Sequence, residues 1–577
     1  MIFSVRKNQA RLAREINTVP RSPEAPLKVV LCYPSRYSVG MANLGFQRVY
    51  ELFNQGPGVY CDRAFFPDPR DEQEHFAKQA PVYSMESRRP LGEFDVIAFS
   101  FTFELDYVAA LEMLRLCKVP LRSEQRRKSG RRKKYPLVMA GGIAVSANPE
   151  PMADFLDLIV IGEAEPLAAP LLSALAGLGR NFSADELREA FAGLPGVYVP
   201  SAYALECDEQ GIIRSRRALP GAPERVQRAV AGPEELPSFQ KIFSPDMEFS
   251  ELGLIELMRG CRRGCRFCLE GYFYRPAREA ALPAVISAIE KLREHRRKLG
   301  LIAAVVPDYT GFSRLMDYLA RENVPFSVSS LRIEAVSERL VALLKKSGNK
   351  TITLAPETGS ARVKCLVNKE ISEERVVQGM KIVGKYGFER VKLYYQVGFP
   401  EETVLEVDAV IDSARRIQNA LAEGSGRPRY SGKVELGINP FVPKAWTAFQ
   451  WVAMAGKAEL DSKLSRIRDR LGKEPGFVLK PGSVRESLLQ GIISRGDRSL
   501  SVVLEQMAAD RSKMSRVWRD PQILARYLRS RPLDEILPWD VIDPGVKKAY
   551  LQRELERGVM GKVSPGCRDD CRECGVC

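Results

Sequence analysis

Histidine is almost absent from this sequence: His75 and His295 are the only two in 577 residues. Both lie in strongly charged stretches, DEQEHF and LREHRRK, and are expected at the surface. That scarcity argues against chemistry built on histidine acid–base catalysis. Long apolar runs are missing too. No stretch reaches the roughly 18 consecutive apolar residues of a membrane-spanning helix. The N-terminus, MIFSVRKNQARLAREINTV, lacks the apolar core and small-residue cleavage site of a secretory leader, so a cytoplasmic location is expected. With 45% hydrophobic and 28% charged residues, collagen-like, coiled-coil and mostly disordered classes are excluded.

What is abundant is basic charge and cysteine. The net charge is +15, which suits a polyanionic partner such as RNA, although solvated basic faces are the plainer explanation. The insert RSEQRRKSGRRKKYP, residues 122–136, carries eight Lys/Arg and one acid, and reads as either a solvated loop or a phosphate-backbone contact. Seven of the twelve cysteines fall in two tight clusters. In a reducing compartment such clusters suggest metal rather than disulfides.

At about 150 residues per domain the length predicts three or four domains. Residues 1–26 read as a basic lead-in and 27–180 as an α/β domain. Runs at 27–34, 94–103, 136–142 and 157–163 are expected strands, alternating with helical patterns such as 106–119. That alternation predicts a parallel sheet of Rossmann or flavodoxin type, with ligands beyond the carboxyl ends of its strands. The strand ends mark Ser35 to Gly40, Ser100 to Thr102, Gly141 to Ala144, and Gly162 with Glu163. Residues 181–250, rich in Pro and Gly, are expected to be a linker region with short strands. From 251 to 455, six strand patterns with five helical crossovers predict a partial, TIM-like (β/α)6 barrel with its chemistry at the strand ends. Residues 456–577 are expected to be a helical C-terminal region with a cysteine-rich tail.

Directly after the first expected barrel strand, Cys261, Cys265 and Cys268 form C-x3-C-x2-C. Three thiolates on one tight loop can hold three irons of a [4Fe–4S] cubane and leave the fourth open to a small chelating molecule. Zinc usually needs four ligands in paired halves. Gly260 and Gly264 let the backbone wrap close to the sulfurs. Arg262, Arg263 and Arg266 are expected to offset the cluster's charge, and Phe267 to shield it from water. The tail adds Cys567, Cys571, Cys574 and Cys577 within eleven residues, a closed set for either a second [4Fe–4S] cluster or zinc. Of the isolated cysteines, only Cys365 falls near the expected site.

The segments RGCRRGCRFCLEGYFYRPARE, TLAPETGSARVKCLVNK, LYYQVGFPEET and PFVPKAWTAFQW resemble the radical S-adenosylmethionine (SAM) superfamily. YPSRYSVGMANLG, FSFTFELDYVAAL, MAGGIAVSANPEPMADFLD and VIGEAE resemble the cobalamin-binding domain that precedes many such barrels. The resemblance implies that SAM chelates the open iron and is split by one electron to a 5′-deoxyadenosyl radical. It also implies an external donor of flavodoxin or ferredoxin type. Asp308, Ser329, Glu357 and Gln396, at barrel strand ends, become candidate SAM contacts. Asp308 stands where the family usually has a Gly-Gly-Glu-like segment. Glu357 could instead cap the next helix, and Ser329 could simply end a strand. Ser35, Tyr37, Gly40, Met41, Ser100, Thr102, Gly141, Gly142, Gly162 and Glu163 become candidate cobalamin contacts. The family's D-x-H-x-x-G motif is absent, so cobalamin would bind base-off without a histidine, with Tyr37 and Met41 as candidates for its lower face.

The reading favoured by the resemblance is cobalamin-dependent methylation of an unactivated carbon. The alternatives are a radical rearrangement, cyclisation or sulfur insertion, including on RNA, and a non-catalytic iron–sulfur or RNA-binding protein. The sequence does not name the substrate.

Overall fold

The computed structural model describes residues 3–128, 135–178, 182–369, 371–568 and 570–577. The chain divides into two compact units. The first holds 1–251, 492–523 and 534–544; the second holds 252–491, 524–533 and 545–577. Residues 456–577 are thus shared between the units, and 181–250 belongs to the first. No described helix is long and apolar enough to cross a membrane.

The first unit is built on a six-stranded sheet. Its strands are β1 (Leu27–Tyr33), β2 (Val59–Phe65), β3 (Val96–Ser100), β4 (Leu137–Gly141), β5 (Leu158–Val160) and β6 (Val197–Tyr198), in the order β2-β1-β3-β4-β5-β6. All pairs are parallel except β5–β6. The chain leaves β1 for β2 on one side and returns to β3 on the other, which places a topological switch point at the ends of β1 and β3.

β2 escapes a reading by apolar runs because Asp62 and Arg63 interrupt it. The fold buries both. Arg63 is fully buried and paired with Glu15 at 2.6 Å and Glu86 at 2.7 Å, and Asp62 accepts from the Ser87 amide at 3.0 Å. The expected linker also contains a helix, Ala184–Phe191, whose Ser183 and Glu186 form a reciprocal capping box. His75, expected at the surface, is buried, with its ring nitrogens held by Ser4 Oγ at 2.9 Å and the Ala80 carbonyl at 3.0 Å.

The second unit alternates strands and helices. The strands are β7 (Leu252–Glu256), β8 (Lys298–Ile302), β9 (Phe326–Val328), β10 (Thr351–Glu357), β11 (Arg390–Val397), β12 (Lys433–Pro440) and β13 (Phe477–Pro481). They form a three-stranded and a four-stranded parallel sheet, joined by a parallel bridge between Leu331 and Leu354. The barrel is therefore one strand larger than the expected six. β13 lies inside the stretch expected to be helical, and its FVLKP is short and half-exposed, with little periodicity to read. The second barrel strand also starts at Lys298 and ends at Ile302, earlier than the apolar run around 301–308 suggests. Helices cap themselves locally: Thr403 and Glu406 form a capping box at the start of the long helix Val404–Gly424.

At the end of β4, Gly142 has φ +104°, and a Cβ there would stand 2.3 Å from the Phe101 carbonyl oxygen. Gly142→Ala is expected to lower stability by about 1–3 kcal/mol, read as a drop in the thermal midpoint of the full chain. An unchanged midpoint refutes this account of the strand-end packing.

Candidate functional site: the cysteine loop and the strand ends

β7 opens into the loop that carries Cys261, Cys265 and Cys268. The short strands Met258–Arg259 and Arg278–Glu279 pair antiparallel and pinch the loop at its base. Gly260, at φ +80°, passes so close to Tyr274 that a Cβ would lie 2.3 Å from its carbonyl oxygen. Cys268 sits at the N-cap of the helix Leu269–Phe273. Cys261 is buried, and Cys265 and Cys268 are half-buried. Burial pushes the Cys261 thiol up to about 11 and also raises Cys268. Loading a metal therefore requires release of those protons, so assembly is pH-dependent.

Backbone and side-chain N–H donors aim at this sulfur set. The Arg263 amide donates to Cys261 Sγ at 3.4 Å, and Arg332 Nη1 donates to Cys265 Sγ at 3.5 Å. N–H···S bonds of this kind are among the interactions that tune iron–sulfur clusters. Among the described residues no group of three or more His, Cys, Asp and Glu side chains is gathered to hold a metal ion. A cubane spreads its cysteines over separate irons, so three thiols on one loop with N–H donors beside them fit its ligand chemistry.

The expected roles of the loop arginines change. Arg262 pairs with Glu279 at 3.5 Å, Arg263 with Asp308 at 2.6 Å, and buried Arg266 with Glu554 at 3.2 Å. All three positive charges are answered by carboxylates. Arg332, which carries no local signal in the sequence, faces Cys265 Sγ with one nitrogen and pairs with Glu334 at 2.5 Å through the others. It lies three residues past Ser329, where attention stopped at the strand end. Phe267 packs against Phe399 with ring centroids 6.0 Å apart, joining an apolar cluster with Leu366, Val367 and Phe441.

The four SAM candidates separate. Asp308 is not at a strand end; it lies in the turn Val306–Asp308, and both its carboxylate oxygens accept from Arg263 at 2.6 Å. That bidentate pair ties the Asp308 carboxylate to the cysteine loop. Ser329 is an exposed residue just past β9. Glu357 and Gln396 come together on adjacent strands, with Gln396 Nε2 donating to Glu357 Oε2 at 2.8 Å. Lys369 Nζ donates to the other oxygen at 2.9 Å. Glu357 also holds φ +66°, uncommon for a non-glycine residue and frequent at functional sites. Cys365 lies on the helix Ala361–Leu366, and its carbonyl accepts from Arg266 at 2.8 Å.

In the first unit, Ser35, Ser100, Thr102, Gly141 and Gly142 gather at the ends of the adjacent strands β1, β3 and β4. Thr102 Oγ1 and Tyr33 Oη are 2.7 Å apart. Tyr37 and Met41, the lower-face candidates, lie in the core with partners of their own. Both are fully buried, Tyr37 donating to Glu15 at 2.6 Å and Met41 Sδ accepting from Arg63 at 3.2 Å. Gly40 serves close packing, since a Cβ there would lie 2.6 Å from the Phe65 ring. Gly162 and Glu163 are engaged by residues 229–231: the Ala231 amide donates to Glu163 at 2.8 Å. In the basic insert, residues 129–134 lie outside the described residues. Of its described arginines, Arg122 pairs with Asp154 and Glu505, and Arg126 and Arg127 pair with Asp157.

Parallel strands, polar groups at their carboxyl ends and a three-thiol loop after the first strand define an iron–sulfur enzyme of barrel type. Family comparison agrees. Residues 255–414 match the radical SAM superfamily, and 45–200 match the N-terminal region of radical SAM proteins. The chain belongs to the radical SAM superfamily. It is 29% identical over 453 residues to the uncharacterised protein MJ0966 of Methanocaldococcus jannaschii, covering 78% of this chain and 88% of that one. It is 25% identical over 187 residues to the uncharacterised methyltransferase PH0819 of Pyrococcus horikoshii, covering 31% of this chain and 40% of that one. A structure of the radical SAM methyltransferase TsrM from Kitasatospora setae aligns over 85% of this chain and 99% of its own, with 13% identity and a TM-score of 0.49.

Two buried carboxylates can be tested by substitution. Glu357→Ala leaves buried Lys369 without its counter-charge and is expected to cost about 3–5 kcal/mol of unfolding free energy, most of it recovered by adding Lys369→Met. Failure of the second substitution to rescue refutes the pairing. At the N-terminus of the helix Asp106–Leu116, burial and the Glu104 charge raise the Asp106 carboxyl to about 7. The folded state then keeps a proton that the unfolded state has lost, so stability falls as pH rises from about 4 to about 7. Asp106→Asn is expected to remove that slope and to be about 1–3 kcal/mol more stable than wild type at pH 7.5, measured by urea unfolding across pH.

Proposed function

We propose that this radical SAM enzyme uses cobalamin to methylate an unactivated carbon. The observation that carries the SAM part is the three-thiol loop after β7 together with the Glu357–Gln396 pair. A cluster held by Cys261, Cys265 and Cys268 supplies, when loaded, the electron that splits SAM to a 5′-deoxyadenosyl radical. The chain's own groups do the positioning. Arg332 and the Arg263 amide support the sulfurs by hydrogen bonds, and Phe267 with Phe399 gives the loop an apolar backing that keeps water off. Glu357, oriented by Lys369 and Gln396, offers a fixed acceptor for the hydroxyl or amine groups of SAM.

The cobalamin part is supported by the open parallel sheet of the first unit, whose switch point gathers Ser35, Ser100, Thr102, Gly141 and Gly142. The corrin would lie there base-off. The chain lacks a D-x-H-x-x-G motif, and His75, within the same unit, is buried and held on both ring nitrogens. The methyl-transfer part takes support from the relative that carries a methyltransferase name. We place the reaction in the cytoplasm with a low-potential flavodoxin- or ferredoxin-type donor.

Anaerobically purified protein given SAM and reductant is expected to form 5′-deoxyadenosine, and Cys265→Ala to reduce this to background. A co-purified corrinoid, seen by absorbance and mass spectrometry, and S-adenosylhomocysteine formed alongside 5′-deoxyadenosine are expected. Fully loaded protein that yields no 5′-deoxyadenosine overturns the enzyme reading. Absence of corrinoid overturns the cobalamin part alone.

A further inference from the structure

The last eleven residues repeat the pattern of the catalytic loop. The loop reads CRRGCRFC and the tail CRDDCREC, both C-R-x-x-C-R-x-C, and the tail then adds Cys577 as a fourth thiol. The second unit folds this tail back onto the loop. Asn368 joins them: its Nδ2 donates to the Gly264 carbonyl at 3.0 Å and the Ser564 carbonyl at 3.2 Å, while its Oδ1 accepts from the Ser564 amide at 2.8 Å. Arg266 donates from inside the loop to the Lys562 carbonyl at 2.8 Å and to Ser564 Oγ at 3.1 Å. The Cys567 amide donates to the Arg262 carbonyl at 2.6 Å, one hydrogen bond from the residue that follows Cys261.

The tail is anchored at its far end as well. The Lys547 amide donates to the Cys574 carbonyl at 2.9 Å, and Cys574 is buried. Gly575, at φ +89°, lies against the Lys547 side chain. Arg275 spans the rings of Tyr272 and Tyr550, with its guanidinium 4.7 Å and 5.5 Å from their centroids.

We propose that Cys567, Cys571, Cys574 and Cys577 bind a second, fully protein-ligated [4Fe–4S] cluster beside the catalytic loop. The shared spacing argues for a cubane over zinc, whose cysteines usually come as two separated halves. The fourth thiolate closes the tail cluster to SAM, so the two sites divide the work: the loop is open to substrate chemistry and the tail is not. The proposal rests on reading the Cys261–Cys265–Cys268 loop as a cubane site, because the tail borrows that spacing.

The test is metal content and spectroscopy of the full-length protein reconstituted anaerobically with iron and sulfide. Wild type is expected to hold about eight irons and eight sulfides. Cys571→Ser/Cys574→Ser and Cys261→Ser/Cys265→Ser/Cys268→Ser are each expected to keep about four. Reduced wild type should show a magnetic-resonance signal broadened by coupling between two clusters, and each variant an uncoupled one. Circular dichroism establishes that the variants fold; if the double variant does not, Cys571→Ala alone, with the same iron loss, replaces it. Four-thiolate zinc in the tail, or wild type at about four irons with the tail empty, overturns the proposal. Either result leaves SAM cleavage by the loop intact. Loss of all iron in the loop variant, with the fold retained, also overturns it.

Discussion

A guanidinium with no access to water holds the three-cysteine loop in place. Arg266 lies between Cys265 and Phe267, and its side chain is fully buried. A buried charge must be paired and its donors satisfied, or the loop cannot close. Here the partners come from three distant places: the carbonyls of Cys365 and Leu366, the carboxylate of Glu554, and the tail at Lys562 and Ser564. One side chain therefore ties the loop after the first barrel strand to the end of the fourth and to the C-terminus. The sulfurs inherit their positions from that tie.

The barrel supplies the rest of the site through the same logic of paired polar groups at strand ends. Glu357 ends β10 in a left-handed backbone conformation and is flanked by Lys369 and Gln396. Arg263 and Asp308 lock the turn after β8 to the loop. The first unit uses the device too, with Arg63 buried under the ends of β1 and β2 between Glu15 and Glu86. In each case a charged group inside a parallel sheet's end fixes a loop that a purely apolar core would leave free to move.

Much of this was legible from local pattern. Apolar runs marked β1, β3, β4 and β5, and the thiol spacing marked both cysteine sets. Glu357 and Gln396 drew attention as polar strand-end residues, and the fold brings the two side chains together on adjacent strands. The misses share a cause. β2 was hidden by Asp62 and Arg63, whose burial depends on partners elsewhere in the chain. Tyr37 and Met41 looked available because they follow a strand, yet the fold turns them into core. Asp308 looked like a strand end because the apolar run around it extends past the true strand. Arg332 and Asn368 carry no local signal; only their partners identify them.

The sequence by itself determined the donor atoms and their order. Covalent spacing places three thiols on one loop and four on one tail, and period and breakers place strands and crossovers, because both are properties of neighbouring residues. Tertiary structure decided which charges are spent on one another and which face the sulfurs. It also brought the tail to the loop, across roughly 300 residues, through Asn368, Arg266 and the Cys567 amide. Such pairings are set by the requirement that every buried polar group find a partner, a requirement satisfied only when distant segments meet.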